Sequence, residues 1–262
     1  MKYSPAVGKY ISEWGRYVSC FCAILLIFVF TIPVSPMAKE KLVNFSGFEW
    51  RLKNSPQRKI GPGPNFWSQS PKNVYVDEEG QLHLKIVPAG NRWFSTEVEI
   101  TEPLGYGRYC LKISDLESPL DRNAIFGFFI YLNDRNEIDI ELGRWGGETK
   151  GGTFALQPSF LPGNLHRYSV NLTDSDSTLC FSWFPNRVEF SHYKEKVDEI
   201  GTDEYNGMAE KWVYHGESIP AGPLRAHINF WLYRGEDPKE KKPLEIIVRE
   251  FNFEPLKPGE KY

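Results

Sequence analysis

From Lys39 onward the apolar residues do not recur with the 3.6-residue period of a helix. They come in short runs, often alternating with polar residues, and Gly, Pro, Asn and Asp interrupt them. This pattern predicts strands over 81–87 (QLHLKIV), 95–101 (STEVEIT), 106–116, 124–132, 136–142, 153–158, 167–172, 177–183, 187–193, 225–233 and 244–253. Pro185–Asn186 lies between two of these runs and marks a hairpin turn. One short helix is expected within 203–212. Many short strands with no helices between them point to an all-β sandwich or barrel and exclude a parallel α/β sheet. The sequence shows no internal repeat and no low-complexity linker, so 39–262 is expected to be one domain.

The preceding segment follows different rules. Residues 18–34 (VSCFCAILLIFVFTIPV) are almost wholly apolar, and Lys2, Lys9 and Arg16 precede them against a single acid, Glu13. A basic stretch followed by an apolar one is the form of a secretory signal. The run is longer than most signal cores and shorter than a comfortable membrane span, and Pro33 interrupts its end. Residues 1–38 therefore read as a signal peptide cleaved near Ala38, or as an N-terminal anchor holding the protein to a membrane through 18–34. Either way the protein is expected to be secreted or extracytoplasmic, in the cell envelope. Export permits a disulfide. Cys110 and Cys180 lie in the body of the chain, and the sequence leaves open whether they pair or are two separate buried thiols.

Composition adds exclusions. The formal net charge is -3, and no basic block is interleaved with aromatics, which excludes nucleic acid as a partner. The mixed-sign run 236–242 (EDPKEKK) reads as a solvated loop. Nothing implies a protein partner. The five histidines share no metal-ligand spacing, so no metal site is expected, and the chain calls for no cofactor. Structural calcium finds no support in the sequence. Aromatics make up 15% of the residues, 8 of them Trp, which suits either the core of a β-protein or a surface that stacks on sugar rings.

The candidate chemistry lies in 136–145 (NEIDIELGRW), where Glu137, Asp139 and Glu141 alternate with Ile138, Ile140 and Leu142. Side chains two apart on a strand share a face, so three carboxyls line one side and three aliphatics the other. Adjacent carboxylates repel, and crowding raises the pKa of at least one of them. The result is a proton donor beside an ionised nucleophile, the pair that glycosidic cleavage requires. A cation site or a merely acidic surface strand competes with this reading, although calcium prefers a loop that can wrap it. Residues four apart on a flat strand are roughly 13 Å apart at Cα, whereas a retaining pair needs carboxyls about 5–5.5 Å apart. The strand must therefore lie in a curved, concave sheet.

The segment resembles the E-x-D-x-E signature of glycoside hydrolase family 16. Further likenesses follow in order: Tyr106–Gly107–Arg108–Tyr109, then Gly127 to Tyr131, then His166 with Trp183, Pro185 and Val188, then Asn229–Phe230–Trp231. The resemblance implies a concanavalin-like jelly-roll β-sandwich of two curved antiparallel sheets with a concave substrate cleft. It implies a retaining, endo-acting glycosidase on a β-linked polysaccharide, most like a β-glucan. Glu137 would be the nucleophile, Glu141 the acid and then the base, and Asp139 would assist Glu137. The sequence departs from close relatives after the last Glu, where Leu142–Gly143–Arg144–Trp145 stands, which leaves the substrate subclass open. Trp145, Trp93, Arg92, Arg144, Gln157, Asn229 and Trp231 are the candidate substrate-binding residues, each with a packing role as its alternative. His166 reads as structural. The competing functions are a transglycosylase using the same residues, a non-catalytic lectin-like protein, and an anchored structural wall protein.

Overall fold

The computed structural model describes residues 40–114, 120–149, 151–170, 176–194 and 207–257. Among them are seventeen strands and a single turn of 3-10 helix, Tyr233–Gly235. The strands are β1 (Leu42–Phe45), β2 (Phe48–Leu52), β3 (Ser55–Ile60), β4 (Asn65–Trp67), β5 (Val74–Val76), β6 (Leu82–Ala89), β7 (Arg92–Ile100), β8 (Gly107–Ile113) and β9 (Ala124–Asn133). They continue with β10 (Asn136–Gly143), β11 (Gly151–Leu156), β12 (Leu165–Ser169), β13 (Ser177–Trp183), β14 (Val188–Tyr193), β15 (Met208–Tyr214), β16 (Arg225–Leu232) and β17 (Leu244–Pro255).

They form two antiparallel sheets. The first runs β1-β2-β7-β16-β9-β10-β11-β12. The second runs β5-β6-β17-β8-β13-β14-β15. The β6–β7 hairpin joins the sheets on one side, where β3 pairs with β4 and β4 lies parallel to β7. Alternate residues of both sheets meet in one apolar core: Ile138, Ile140 and Leu142 of β10, Phe126, Phe128 and Ile130 of β9, Ile228 and Phe230 of β16, and Tyr109, Phe181 and Phe190 from the opposite sheet. Trp50 and Trp183 are fully buried here, so aromatic content serves the core first.

On the outer face of the first sheet Ser95, Glu97, Asp139, Asn229 and Trp231 are buried, and the β3–β4 pair covers part of it: the Asn65 side-chain oxygen accepts from Ser95 Oγ at 3.0 Å, and Trp67 clusters with Trp231. The burial of Asp139 and Asn229, away from that cover, fits the curved sheet that the jelly-roll expectation requires.

Several sequence expectations change. Five short strands within 42–76 carry too little alternation to be seen in the sequence. β7 begins at Arg92 rather than residue 95, because the turn at Gly90–Asn91 closes a tight hairpin with β6. The expected helix is corrected. Its described part lies in β15, an edge strand in which Trp212 pairs with Phe190 of β14 and stacks on its ring. Here cross-strand pairing overrides a weak local preference. Cys110 and Cys180 are paired in a disulfide, directly opposite each other in the β8–β13 register. The proposed signal or anchor at 1–38 lies outside the described residues.

Candidate active site

The three carboxyls of β10 project from the outer face of the first sheet, because their even-numbered neighbours fill the core. The β9–β10 register shifts between Asn136 and Glu137, a bulge that re-aims the start of the acidic run. Across the ladder Glu137 faces Tyr131, Asp139 faces Phe129, and Glu141 faces Gly127; on the other side Asp139 faces Ala155 and Glu141 faces Thr153. Small residues therefore flank Glu141. Gly127 has its own reason to be glycine: a Cβ there would stand 2.5 Å from the Asn229 side-chain oxygen.

No cation is paired directly with the triplet in a described ion pair. Burial, then the charges of Glu141, Asp134 and Glu97, pushes Glu137 up to about 8. Asp139, only 6% exposed, is raised well above the usual carboxylate range by burial and by Glu137 and Glu141. Burial also lifts Glu141 to about 7, against the Trp145 side-chain hydrogen bond and the Arg167 charge, which pull it down. Two side chains hold this set in place. The Gln157 amide donates to Asp139 at 3.3 Å, and its own oxygen accepts from the Ser159 backbone N–H at 2.8 Å, which fixes which end of the amide faces the acid. Trp145 follows β10 in a left-handed backbone conformation (φ 47), a geometry that costs a side-chain-bearing residue roughly 1–2 kcal/mol. Such strain persists where the surroundings demand it; here it aims the indole at Glu141.

A second carboxylate behaves in the opposite way. Glu97 of β7 is buried on the same face. Burial alone would raise it, but the His227 and Lys53 partners outweigh that and hold it below its ordinary pKa. Lys53 Nζ is 2.8 Å and His227 Nδ1 3.2 Å from its carboxyl, and the Asn229 amide donates to it at 3.4 Å. His227 also stacks on Phe129, the neighbour of Asp139. One face thus holds a neutralised carboxylate and an unneutralised triplet, an arrangement that separates ionised from protonated acids.

The candidates from sequence divide. Asn229 and Trp231 lie on the same face of β16, 2% and 7% exposed, and the Asn229 oxygen and the Trp231 indole N–H are buried with no protein partner. Trp231, Trp67 and Ile125 form an apolar cluster separate from the main core, and Trp145, Ile60 and Tyr233 pack against it. Trp145 and Trp231 therefore meet in one wall. Arg144, beside Trp145, keeps a buried Nε without a partner. Arg92 and Trp93 are engaged elsewhere: Arg92 donates to the Pro56 carbonyl and lies over Phe66, and Trp93 packs on the main core from the β6–β7 hairpin. His166 lies on the core side, stacked on Trp212 and bonded to Glu210. Glu97, His227, Phe129, Tyr131 and Arg167 were not singled out from sequence. Two-residue alternation puts them on faces, but only the β7-β16-β9-β10-β11-β12 order makes those faces one site. Among the described residues, no group of three or more His, Cys, Asp or Glu is arranged to hold a metal ion.

Known structures decide the fold. A Bacillus licheniformis beta-glucanase superposes with TM-score 0.59 at 18% identity, over 82% of this chain and 98% of its own. This is the β-glucanase fold. A glycosyl hydrolase family 16 protein from Mycobacterium smegmatis gives 0.56 at 15% identity, over 82% and 92% of the two chains. An immunostimulatory antigen and pseudo beta-1,3-glucanase of Mycobacterium tuberculosis gives 0.57 at 17% identity, over 76% and 88%. By sequence alone, no family model and no curated protein matches the chain.

Proposed function

We propose that this protein is a retaining, endo-acting glycosidase on a β-glucan-type polysaccharide. The observation that carries the reading is the Glu137–Asp139–Glu141 row, with Asp139 buried, its neighbours half-buried and no described ion pair to a cation, on the outer face of the first sheet of a β-glucanase fold. Glu137 attacks the anomeric carbon while Glu141 protonates the departing glycosidic oxygen. Water, deprotonated by Glu141, then releases the glycosyl group from Glu137. Repulsion along the row keeps the three carboxyls from ionising together; the reactive form is the one in which Glu137 has lost its proton while Asp139 and Glu141 keep theirs, so one negative charge rather than three faces the substrate. Half-buried Trp145 offers an apolar face for a ring, and the Asn229 oxygen and Trp231 N–H, unpartnered and covered in the free protein, become one acceptor and one donor for sugar hydroxyls when side chains on this face shift to admit the substrate. Arg144 presents a further donor, whereas Arg92 and Trp93, engaged with Pro56, Phe66 and the main core, take no part in this scheme. The double displacement draws only on carboxyls and water and calls for no cofactor.

The first test is reducing-end release from a panel of β-glucans, xyloglucan and algal galactans, beside Glu137→Gln and Glu141→Gln. Cutting of one polymer that both substitutions abolish supports the reading, and the anomeric configuration of the first product, followed by NMR, decides retention. A transglycosylase would transfer the glycosyl group to added oligosaccharide. The pseudo-glucanase among the fold neighbours favours a second reading, a non-catalytic carbohydrate-binding protein. Binding without cutting, equal in all three proteins, would establish it. We further propose that 39–262 is the working domain and acts outside the cytoplasm, released from or anchored by 1–38. The Cys110–Cys180 disulfide supports an oxidising compartment, and the mass of the exported protein tests cleavage.

A further inference from the structure

Beyond the acidic strand, the Glu137 end of the first sheet carries a second built surface. The 157–164 connection leaves β11 just past the residues that face Ile138 and Asp139. The 215–224 connection leads into Arg225, which faces Tyr131, itself the neighbour of Glu137. The two connections are tied together. The Asn164 amide donates to Ser218 Oγ at 2.8 Å and to the Pro158 carbonyl at 3.1 Å, and its oxygen accepts from the Tyr214 hydroxyl at 2.8 Å. The Ser218 backbone N–H donates to that same hydroxyl at 3.1 Å. Between them lies an open groove of about 630 Å³ flanked by Trp212, Tyr214 and Glu217. On this pinned scaffold Phe160 stands 85% exposed, with Leu161 and Val213 also exposed nearby in sequence to the groove walls.

A single exposed ring is ordinary by itself; what distinguishes Phe160 is its place on a turn held by hydrogen bonds, next in the chain to groove-lining Leu161. The walls combine the Trp212 ring with Ser218, His215 and Glu217, and an aromatic ring beside hydrogen-bonding groups suits the apolar C–H faces and hydroxyls of a sugar ring. The same connection begins at Gln157, whose amide bonds Asp139, so Phe160 lies three residues along the chain from the acidic site. We propose that the Phe160 turn and the groove beside it form an accessory binding site for the polysaccharide chain, outside the cleavage point. This rests on the glycan reading above and adds a separate place where the polymer is held.

The test uses the full chain carrying Glu137→Gln, which retains substrate without cutting it. Native gels containing barley mixed-linkage β-glucan, laminarin or xyloglucan measure its retardation. Phe160→Ala in that background should weaken affinity for the retarding polymer roughly three- to tenfold, the worth of one aromatic stacking contact. Phe160→Trp should preserve it. In the active chain, Phe160→Ala should leave turnover of a short oligosaccharide unchanged. Equal retardation of Phe160→Ala and its parent overturns the site, as does a parent that no gel retards. Loss of short-oligosaccharide turnover overturns its accessory nature and places Phe160 in the cleft. Retardation that depends on Phe160, in a protein that cuts nothing, sinks the catalytic reading and leaves this one standing.

Discussion

Trp145→Phe isolates one contact. The phenyl ring keeps most of the packing against Trp231 and Ile125 but lacks the indole N–H that bonds Glu141. That bond favours the ionised carboxylate, so its loss must raise the Glu141 pKa. A hydrogen bond to a charged group is worth about 1.5–3 kcal/mol. Glu141 stays partly open to solvent, so the lower end applies, which is about one pKa unit. From about 7 in the parent, Glu141 should then hold its proton about one unit further into alkaline pH. The alkaline limb of the kcat/KM profile reports the general acid in the free enzyme. It should therefore move up by about one unit, with activity at pH 8 falling less than in the parent. Arg167→Met removes the other influence that lowers Glu141 and should move the limb the same way. An alkaline limb that stays in place in both variants, or moves down, refutes the assignment of Glu141 as the acid.

Glu137→Gln should remove activity and also stabilise the fold. A carboxyl raised from 4.5 to about 8 binds its proton more tightly when folded, so its contribution is intact below pH 4.5 and is lost as pH rises through 8. Thermal unfolding at pH 8 should show the variant more stable by about 1–2 kcal/mol after allowance for partial exposure, and no difference at pH 4. Glu97 has the opposite sign: its lowered pKa stabilises above the ordinary carboxylate pKa, so Glu97→Gln should remove stability at pH 7 that the parent itself loses on acidification. Replacing Cys110 and Cys180 with Ser opens a 70-residue loop and should cost about 4 kcal/mol in denaturant unfolding. Gly127→Ala forces Asn229 aside and should raise KM for the polymer more than it lowers kcat; an unchanged KM would separate Asn229 from substrate.

The sequence by itself determined the all-β class and the two-faced acidic strand, because both are written in local alternation. Ile138, Ile140 and Leu142 can face a core only if Glu137, Asp139 and Glu141 face away from it. The order of likenesses from Tyr106 to Trp231 also pointed to the fold that the structure shows. Tertiary structure decided what stands beside those acids. β16 reaches β9 across about a hundred residues of chain and brings His227, Asn229 and Trp231 to the acidic strand, while β7 supplies Glu97. No local period encodes such pairings. The hydrogen-bond ladder alone could not choose them either, since any antiparallel neighbour satisfies the backbone equally. The same holds for Trp93 and Trp145: both follow an Arg and both looked exposed to a cleft. One packs on the core and the other meets Glu141, because Trp93 lies in the β6–β7 hairpin that joins the sheets while the left-handed backbone at Trp145 turns its ring toward the acidic strand.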